Sequence, residues 1–521
     1  MYKSNPFGNP DGARADINEI DNSFFFNDFY APETAIYIED LLKKRFIIGT
    51  KGSGKTFYLR KIHALLRGRN TGVYVADEME FTLSCTDKVV RFCNLTGRGI
   101  VTEQWKKLWV YSIYAHLITL YLFDAKLKEY VKDEQKVKLE KYLKALDIPV
   151  EDVIGVYQVL QYFLTQMDTA NKISRFLDHI RWVNIASTLK EIVKYSPEVY
   201  VLLDSVDEEY EHAPAFWLQC QKGLFYAGMQ LLESGVLGEK LHVITSMRTN
   251  VFASVIRSEH STKYVKESHI LYLNWNYSNI CYFLSEKIKN LDDCFFMDDK
   301  ARTGRDDKNI VSWLGQAKIH NRVREIEEDI KSYIIRHTRL TPRDIVIVCN
   351  HLAELRKNYV SNQELDVEDF IRHIVHEDAK LFGDELITVC TKQLNSAFMT
   401  VDAGRYDATE GFIANDIFRE NSRRTIKELL LTLKSDRLDY EDMKELDRKV
   451  NDAFQHECYF SDILWQNEAL GYVDEHTNKV IYFTRHLEVE PVLPKGKRAY
   501  VLKTCLIDAL DIINVGKKPD L

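Results

Sequence analysis

The chain has 521 residues, of which 45% are apolar and 28% charged, and its net charge is −8 at pH 7. This length predicts roughly two to four domains with a large core, and the acidic balance excludes a globally basic nucleic-acid binder, so any such contact must come from a local patch. Nine cysteines without a C-x-x-C pair argue against a zinc or disulfide framework and for reduced, buried thiols. With no run of about 18 apolar residues and no signal-peptide apolar core, the expectation is a cytoplasmic protein without membrane contact.

Residues 1–30 read as loop, closed by an aromatic anchor at Phe24-Phe25-Phe26 and Phe29-Tyr30. Pro32 opens a short helix through about Lys44. Phe46-Ile47-Ile48 then reads as a buried strand, and Thr56 to Leu66 as an amphipathic helix. Between them stands Gly49-Thr50-Lys51-Gly52-Ser53-Gly54-Lys55-Thr56, a full G-x-x-x-x-G-K-T phosphate loop in the strand–helix context the motif requires. Its glycines allow the backbone to wrap phosphate oxygens so that successive N–H groups and the helix N-terminus face negative charge. Lys55 would bridge the β- and γ-phosphates of ATP, and the Thr56 hydroxyl would hold Mg²⁺.

Gly72 to Ala76 reads as the next strand, and about 101–194 as a long helical insertion whose apolar face includes Trp105, Leu108, Trp109 and Ile113. Val199-Tyr200-Val201-Leu202-Leu203 follows, apolar throughout as in a central parallel strand, and ends in Asp204-Ser205-Val206-Asp207-Glu208. Asp204 is placed to complete the Mg²⁺ shell opposite Thr56, and either Asp207 or Glu208 could orient or deprotonate an attacking water. A helix near Ala215 to Leu232 leads to the strand Leu241 to Arg248. Its polar end could sense a γ-phosphate through Thr245 or Ser246 and supply positive charge through Arg248.

Ile270 to Leu273 reads as a fifth strand and hands over at Trp275-Asn276-Tyr277-Ser278 to a helix ending near Lys289. A charged loop from Asp298 to Asn309 precedes a helix over about Val323 to His337. Thr341 caps the next helix, Pro342 occupies its first position, and Arg343 projects from its first turn as a candidate nucleotide-sensing arginine. The nearest approach to a metal cluster, His373-Ile-Val-His376-Glu377-Asp378, lacks a partner motif and reads as the polar side of a helix. Further on, helices are expected at Arg423–Leu433, Tyr440–Phe454 and Tyr459–Leu470, with a β-hairpin over Gly471–Phe483.

The phosphate loop, the hhhhDxxDE strand, the polar strand ending at Ser246-Met247-Arg248 and the Leu273-Asn274-Trp275 handover resemble AAA+ and STAND-type P-loop ATPases. The likeness runs from about Ser23 to Leu355 and is closest to the bacterial branch similar to origin-recognition initiators. AAA+ proteins usually place a catalytic Glu directly after the Mg²⁺-binding Asp; here Ser205 stands there, which is more like the STAND arrangement. The resemblance implies an α/β P-loop NTPase fold, a parallel sheet flanked by helices. Residues 1–275 would form the ATPase core, 276–364 a helical lid, and 365–521 a helical and winged-helix-like domain.

Two functions follow. In one, Mg²⁺-dependent ATP hydrolysis drives self-association or activation of a larger complex, as in bacterial anti-phage defence or mobile-element biology. A sequence-independent DNA contact could be added through Arg423, Arg424, Lys427, Lys479, Arg485, Lys495, Lys497 and Arg498 if the fold gathers them onto one face; otherwise they read as the solvated, mixed-charge surface of a protein-docking module. In the other, a slow nucleotide-gated switch regulates a separate effector protein without binding DNA. The third C-terminal helix has Asp462 and Glu468 but no Lys or Arg, which weakens major-groove reading by that helix.

Overall fold

A computed structural model describes residues 5–16, 43–67, 83–96, 100–148, 151–204, 214–256, 268–297, 306–322, 325–362, 364–402, 411–433, 435–455, 457–483 and 492–512. The aromatic anchor, nearly all of the helix expected from Pro32, the strand expected at Gly72–Ala76, and residues Ser205, Asp207, Glu208 and Arg485 lie outside these. The chain divides into two compact units. One holds the described residues of 36–50 and 55–273; the other holds those of 1–35, 51–54 and 274–521.

Among its described residues, the first unit is a four-stranded parallel sheet with helices around it. Its strands are β1 (Phe46–Gly49), β2 (Val199–Leu203), β3 (Leu241–Arg248) and β4 (Ile270–Leu273), in the order β2-β3-β1-β4. Every residue of β1 and β2 is buried, as expected where helices cover both faces of a parallel sheet and the strand sequences are unbroken apolar runs. Register places Ile47 beside Ser246 and Gly49 beside Arg248 on one side, and Gly49 beside Leu273 on the other. The carboxyl ends of β1, β2 and β3 therefore share one edge.

The stretch read as a helical insertion forms helices Val101–Phe123, Asp133–Ala145, Val156–Gln166, Ala170–Leu177 and Arg181–Val193. Trp105 and Trp109 of the first are fully buried, and Trp109 Nε1 donates to Cys220 O at 2.9 Å, so the ring contributes packing without leaving a polar atom unmet. Helix Pro214–Leu232 approaches the same helix closely at Gly223, where a Cβ would stand 2.3 Å from the Cβ of Trp105. Only glycine fits that crossing.

The second unit is mainly helical. Residues 5–16 are turns, as expected, and are held by Phe7, whose N–H donates to Asn350 Oδ1 at 2.9 Å and whose ring lies 4.8 Å from that of Trp313. Thr341 caps helix Pro342–Leu352 by accepting from Asp344 N, with Pro342 at the helix start, and Ile345, Val346, Val348 and Leu352 are buried. The helix expected over Val323–His337 is corrected. Strand β6 (Ile326–Asp329), antiparallel to β5 (Lys318–Asn321), lies near its start, and among its described residues only Ile330–Arg336 is helical. Glu325 turns the chain at a φ of 52°, and Asp329 caps the helix that follows by accepting from Ser332 N. Asp306–Asn309, read as loop, begins helix Asp306–Leu314.

The long helix Val367–Asp402 carries the His373–Asp378 segment. Helices Gly411–Leu430, Tyr440–Phe454 and Phe460–Gln466 follow. The last stops before Leu470, at Glu468 with its φ of 57°. Leu470 instead opens β8 (Leu470–Val473), which pairs with β9 (Val480–Tyr482) as the expected hairpin. Two strands beyond that expectation, β7 (Arg437–Leu438) and β10 (Tyr500–Leu502), extend it to an antiparallel sheet in the order β7-β10-β8-β9.

Candidate functional site

The loop that leaves β1 begins helix Lys55–Arg67, and Thr56 lies in the first turn of that helix. Gly52 and Gly54 have φ of 84° and 94°, a region open to glycine at no steric cost and strained for other residues. Two of the motif's three glycines, Gly52 and Gly54, are therefore required by the backbone path. Lys55 Nζ turns back to the carbonyls of Gly49 and Thr50, at 3.3 and 3.1 Å. The ammonium thus lies at the end of β1, over the carbonyls from which the loop departs.

Asp204 directly follows β2. One of its carboxylate oxygens accepts a hydrogen bond from the Ser246 hydroxyl of β3; the other, Oδ2, is buried and has no hydrogen-bond partner among the described residues. Tyr157 OH donates to the Asp204 carbonyl at 2.6 Å, pinning the backbone at the strand tip. Ser246 rather than Thr245 is thus the polar residue engaged with the acid, since Thr245 Oγ1 donates to the Ser246 carbonyl at 3.2 Å. Arg248 ends β3 level with Gly49. A buried carboxylate oxygen without a hydrogen-bond donor suits a cation ligand.

Within the second unit, loop residues Lys51–Gly54 are held by Arg343, Trp275 and Glu385. Arg343 N donates to Gly52 O at 3.4 Å, and a Cβ on Gly52 would meet Thr341 Oγ1 at 3.1 Å and Arg343 Cβ at 3.2 Å. Trp275 Nε1 donates to Ser53 O at 3.0 Å. Ser53 is fully buried, and its Oγ has no partner among the described residues. The Arg343 guanidinium donates through Nε to Pro10 O at 3.2 Å, so the candidate sensing arginine also touches the N-terminal segment.

Lys51 Nζ pairs with Glu385 at 2.9 Å, Glu385 pairs with Arg339 at 2.7 Å, and Arg339 forks onto the fully buried Asp344 at 2.7 and 2.9 Å. Burial alone would raise the Glu385 carboxyl, but the charges of Arg339 and Lys51 outweigh it and hold the group at about 2. Burial also opposes the Arg339 charge, yet Asp344 and Glu385 raise its pKa above the ordinary value. Trp275, Tyr157 and Glu385 were not singled out as site residues from the sequence. Trp275 stood in the handover motif, but its reach to Ser53 has no local sequence signal.

Of the basic C-terminal residues, Arg424 pairs with Glu428, Lys427 with Asp384, and Arg423 with Asp384 and Glu420. Lys497 lies over the Tyr472 ring at 4.8 Å, whereas Lys495 and Arg498 are exposed. No helix among the described residues is long and apolar enough to cross a membrane. No protein-family model matches the chain, and no curated protein matches it.

Proposed function

We propose that the chain is a Mg²⁺-dependent P-loop ATPase of the AAA+/STAND type. The observation that carries this reading is the Ser246–Asp204 hydrogen bond, made on strands whose order sets β3 between the loop strand and the acidic strand. Ligands of parallel sheets bind beyond the carboxyl ends of the strands, which is where Gly49, Asp204 and Ser246 stand. The residues fit the group: Asp204 Oδ2 is an unmatched buried oxygen, and Thr56 offers a hydroxyl at the helix start. Asp204 and Thr56 would hold Mg²⁺, Gly49–Lys55 would bind the phosphates, and Arg248 would add positive charge. When bound, Mg²⁺ supplies charge neutralisation at the β- and γ-phosphate oxygens. Ser246 holds one Asp204 oxygen and leaves the other for the cation.

The Lys51–Glu385–Arg339–Asp344 chain favours the switch reading beside the turnover reading. It joins a loop residue to helix Val367–Asp402 through charges that respond to a new anion at the loop. The four-stranded antiparallel sheet beside helices Tyr440–Phe454 and Phe460–Gln466 supports a winged-helix-like reading. Internal pairing of Arg424 and Lys427 favours a protein partner over DNA for this region.

ATP titration with and without Mg²⁺ tests the assignment. Wild type should bind ATP more tightly with Mg²⁺, Asp204→Asn should lose that Mg²⁺ dependence, and Lys55→Ala should lose ATP binding altogether. A wild-type chain that does not bind ATP, or a Lys55→Ala chain that binds it normally, overturns the proposal.

A further inference from the structure

Away from the phosphate loop, the second unit brings three side chains from distant parts of the sequence together. His337 follows helix Ile330–Arg336, His376 lies on helix Val367–Asp402, and Asp508 is on helix Thr504–Ala509. One ligand atom from each lies within 4.8 Å of the other two. His376 Nδ1 is 3.0 Å from Asp508 Oδ1, and His337 Nε2 is 3.6 Å from Asp508 Oδ2. We propose that His337, His376 and Asp508 bind a divalent transition metal of the zinc class, which fastens helix Thr504–Ala509 to the other two helices.

Four observations carry this. First, the donor set is two imidazoles and one carboxylate, which suits Zn²⁺ and its neighbours and not the all-oxygen preference of Mg²⁺. Second, ligand atoms around tetrahedral Zn²⁺ lie roughly 3.4 Å apart for bonds of about 2.0–2.1 Å, so small side-chain rotations would close the triangle. Third, His337 Nδ1 faces the Tyr333 carbonyl at 2.6 Å. A carbonyl only accepts, so Nδ1 carries the proton, and in the neutral ring Nε2 is the nitrogen left to bind a metal, the outer-shell arrangement common for metal-binding histidines.

Fourth, Asp508 is 9% exposed and its Oδ2 accepts no hydrogen bond among the described residues. A charged His376 paired with Asp508 would satisfy Oδ1 and leave Oδ2 without a hydrogen bond. A cation satisfies both. The neighbouring positive charges each have an acid of their own: Arg336 is paired with Glu328 at 2.8 Å, and Lys380 with Glu377 and Asp511. The His376 side chain is 35% exposed, which leaves an open side for entry and for a water ligand.

The experiment uses the full chain, dialysed against chelator and titrated with zinc chloride by calorimetry. Cobalt(II) absorption then reports the coordination geometry. Wild type should bind about one Zn²⁺ at this site, with a rise in thermal midpoint. His376→Gln and Asp508→Asn should each weaken binding by more than about 100-fold and abolish the rise, since loss of a direct ligand exceeds the effect of outer-shell changes. His376 is partly exposed, so its variant should fold even if Asp508→Asn does not. Lys55→Ala should retain zinc, separating this site from the phosphate loop. No binding by wild type, or wild-type binding by His376→Gln, overturns the proposal; the second result would place the ion elsewhere, for instance on the cysteines.

Discussion

Glu385 concentrates the electrostatics of the second unit in one carboxylate. It lies between Lys51 of the loop and Arg339, with its pKa depressed to about 2 from an unfolded value near 4.5. A depressed carboxyl stabilises the fold above the unfolded pKa, and that contribution is lost as pH falls through the folded one. The stability difference between wild type and Glu385→Gln should therefore be constant above about pH 4.5 and shrink between there and about pH 2. Denaturant unfolding at a series of pH values measures it, and a difference independent of pH would remove the ion pair from the account. We expect about 1–2 kcal/mol at neutral pH, because the side chain is one-third exposed and Arg339 keeps Asp344. The strand, glycine turn and helix start over Gly49–Thr56 were legible in the sequence because their backbone requirements are local. Glu385 was not, because its two partners come from the loop and from another helix, and no periodicity reports such a meeting.

At the scale of elements, the close crossings are set by glycine. Gly383 of helix Val367–Asp402 faces helix Thr504–Ala509, where an added Cβ would stand 2.2 Å from Cys505 O and 2.5 Å from Ala509 Cβ. Neither neighbour is a flexible side-chain end, so the helices must separate. Gly383→Ala should cost about 1–3 kcal/mol by overpacking and should lower zinc affinity too, because the same helix carries Asp508. Thermal unfolding with and without zinc checks both, and an unchanged midpoint would mean that the crossing relaxes freely. Element types were readable where apolar spacing extended over several turns, as in helix Pro342–Leu352 with its Thr341 cap. They failed at Ile326–Asp329, where four residues of strand precede a helix and the charged sequence carries no alternation of apolar residues. β7 and β10 escaped notice for a similar reason, since strands of two and three residues are shorter than any period can register.

For the molecule as a whole, the proposed activity predicts a response to nucleotide in its state of assembly. Mass photometry with ATP and Mg²⁺ should show larger species than without them, and Arg343→Ala should reduce that shift while leaving the thermal midpoint within about 1 °C, as for a partly exposed residue outside the core. An identical assembly profile in the variant would confine Arg343 to its contacts with Gly52 and Pro10. The strand order bears on how the chain is made. β1, at residues 46–49, pairs on one side with residues 245–248 and on the other with 270–273. During synthesis at about 5–20 residues per second, it waits roughly 10–45 s for both neighbours. For most of that interval Phe46-Ile47-Ile48 is an apolar strand with neither of its final neighbours yet made, and β3 arrives before β4. The acid at the tip of β2 waits as well, because the Ser246 that holds Asp204 is made only with β3.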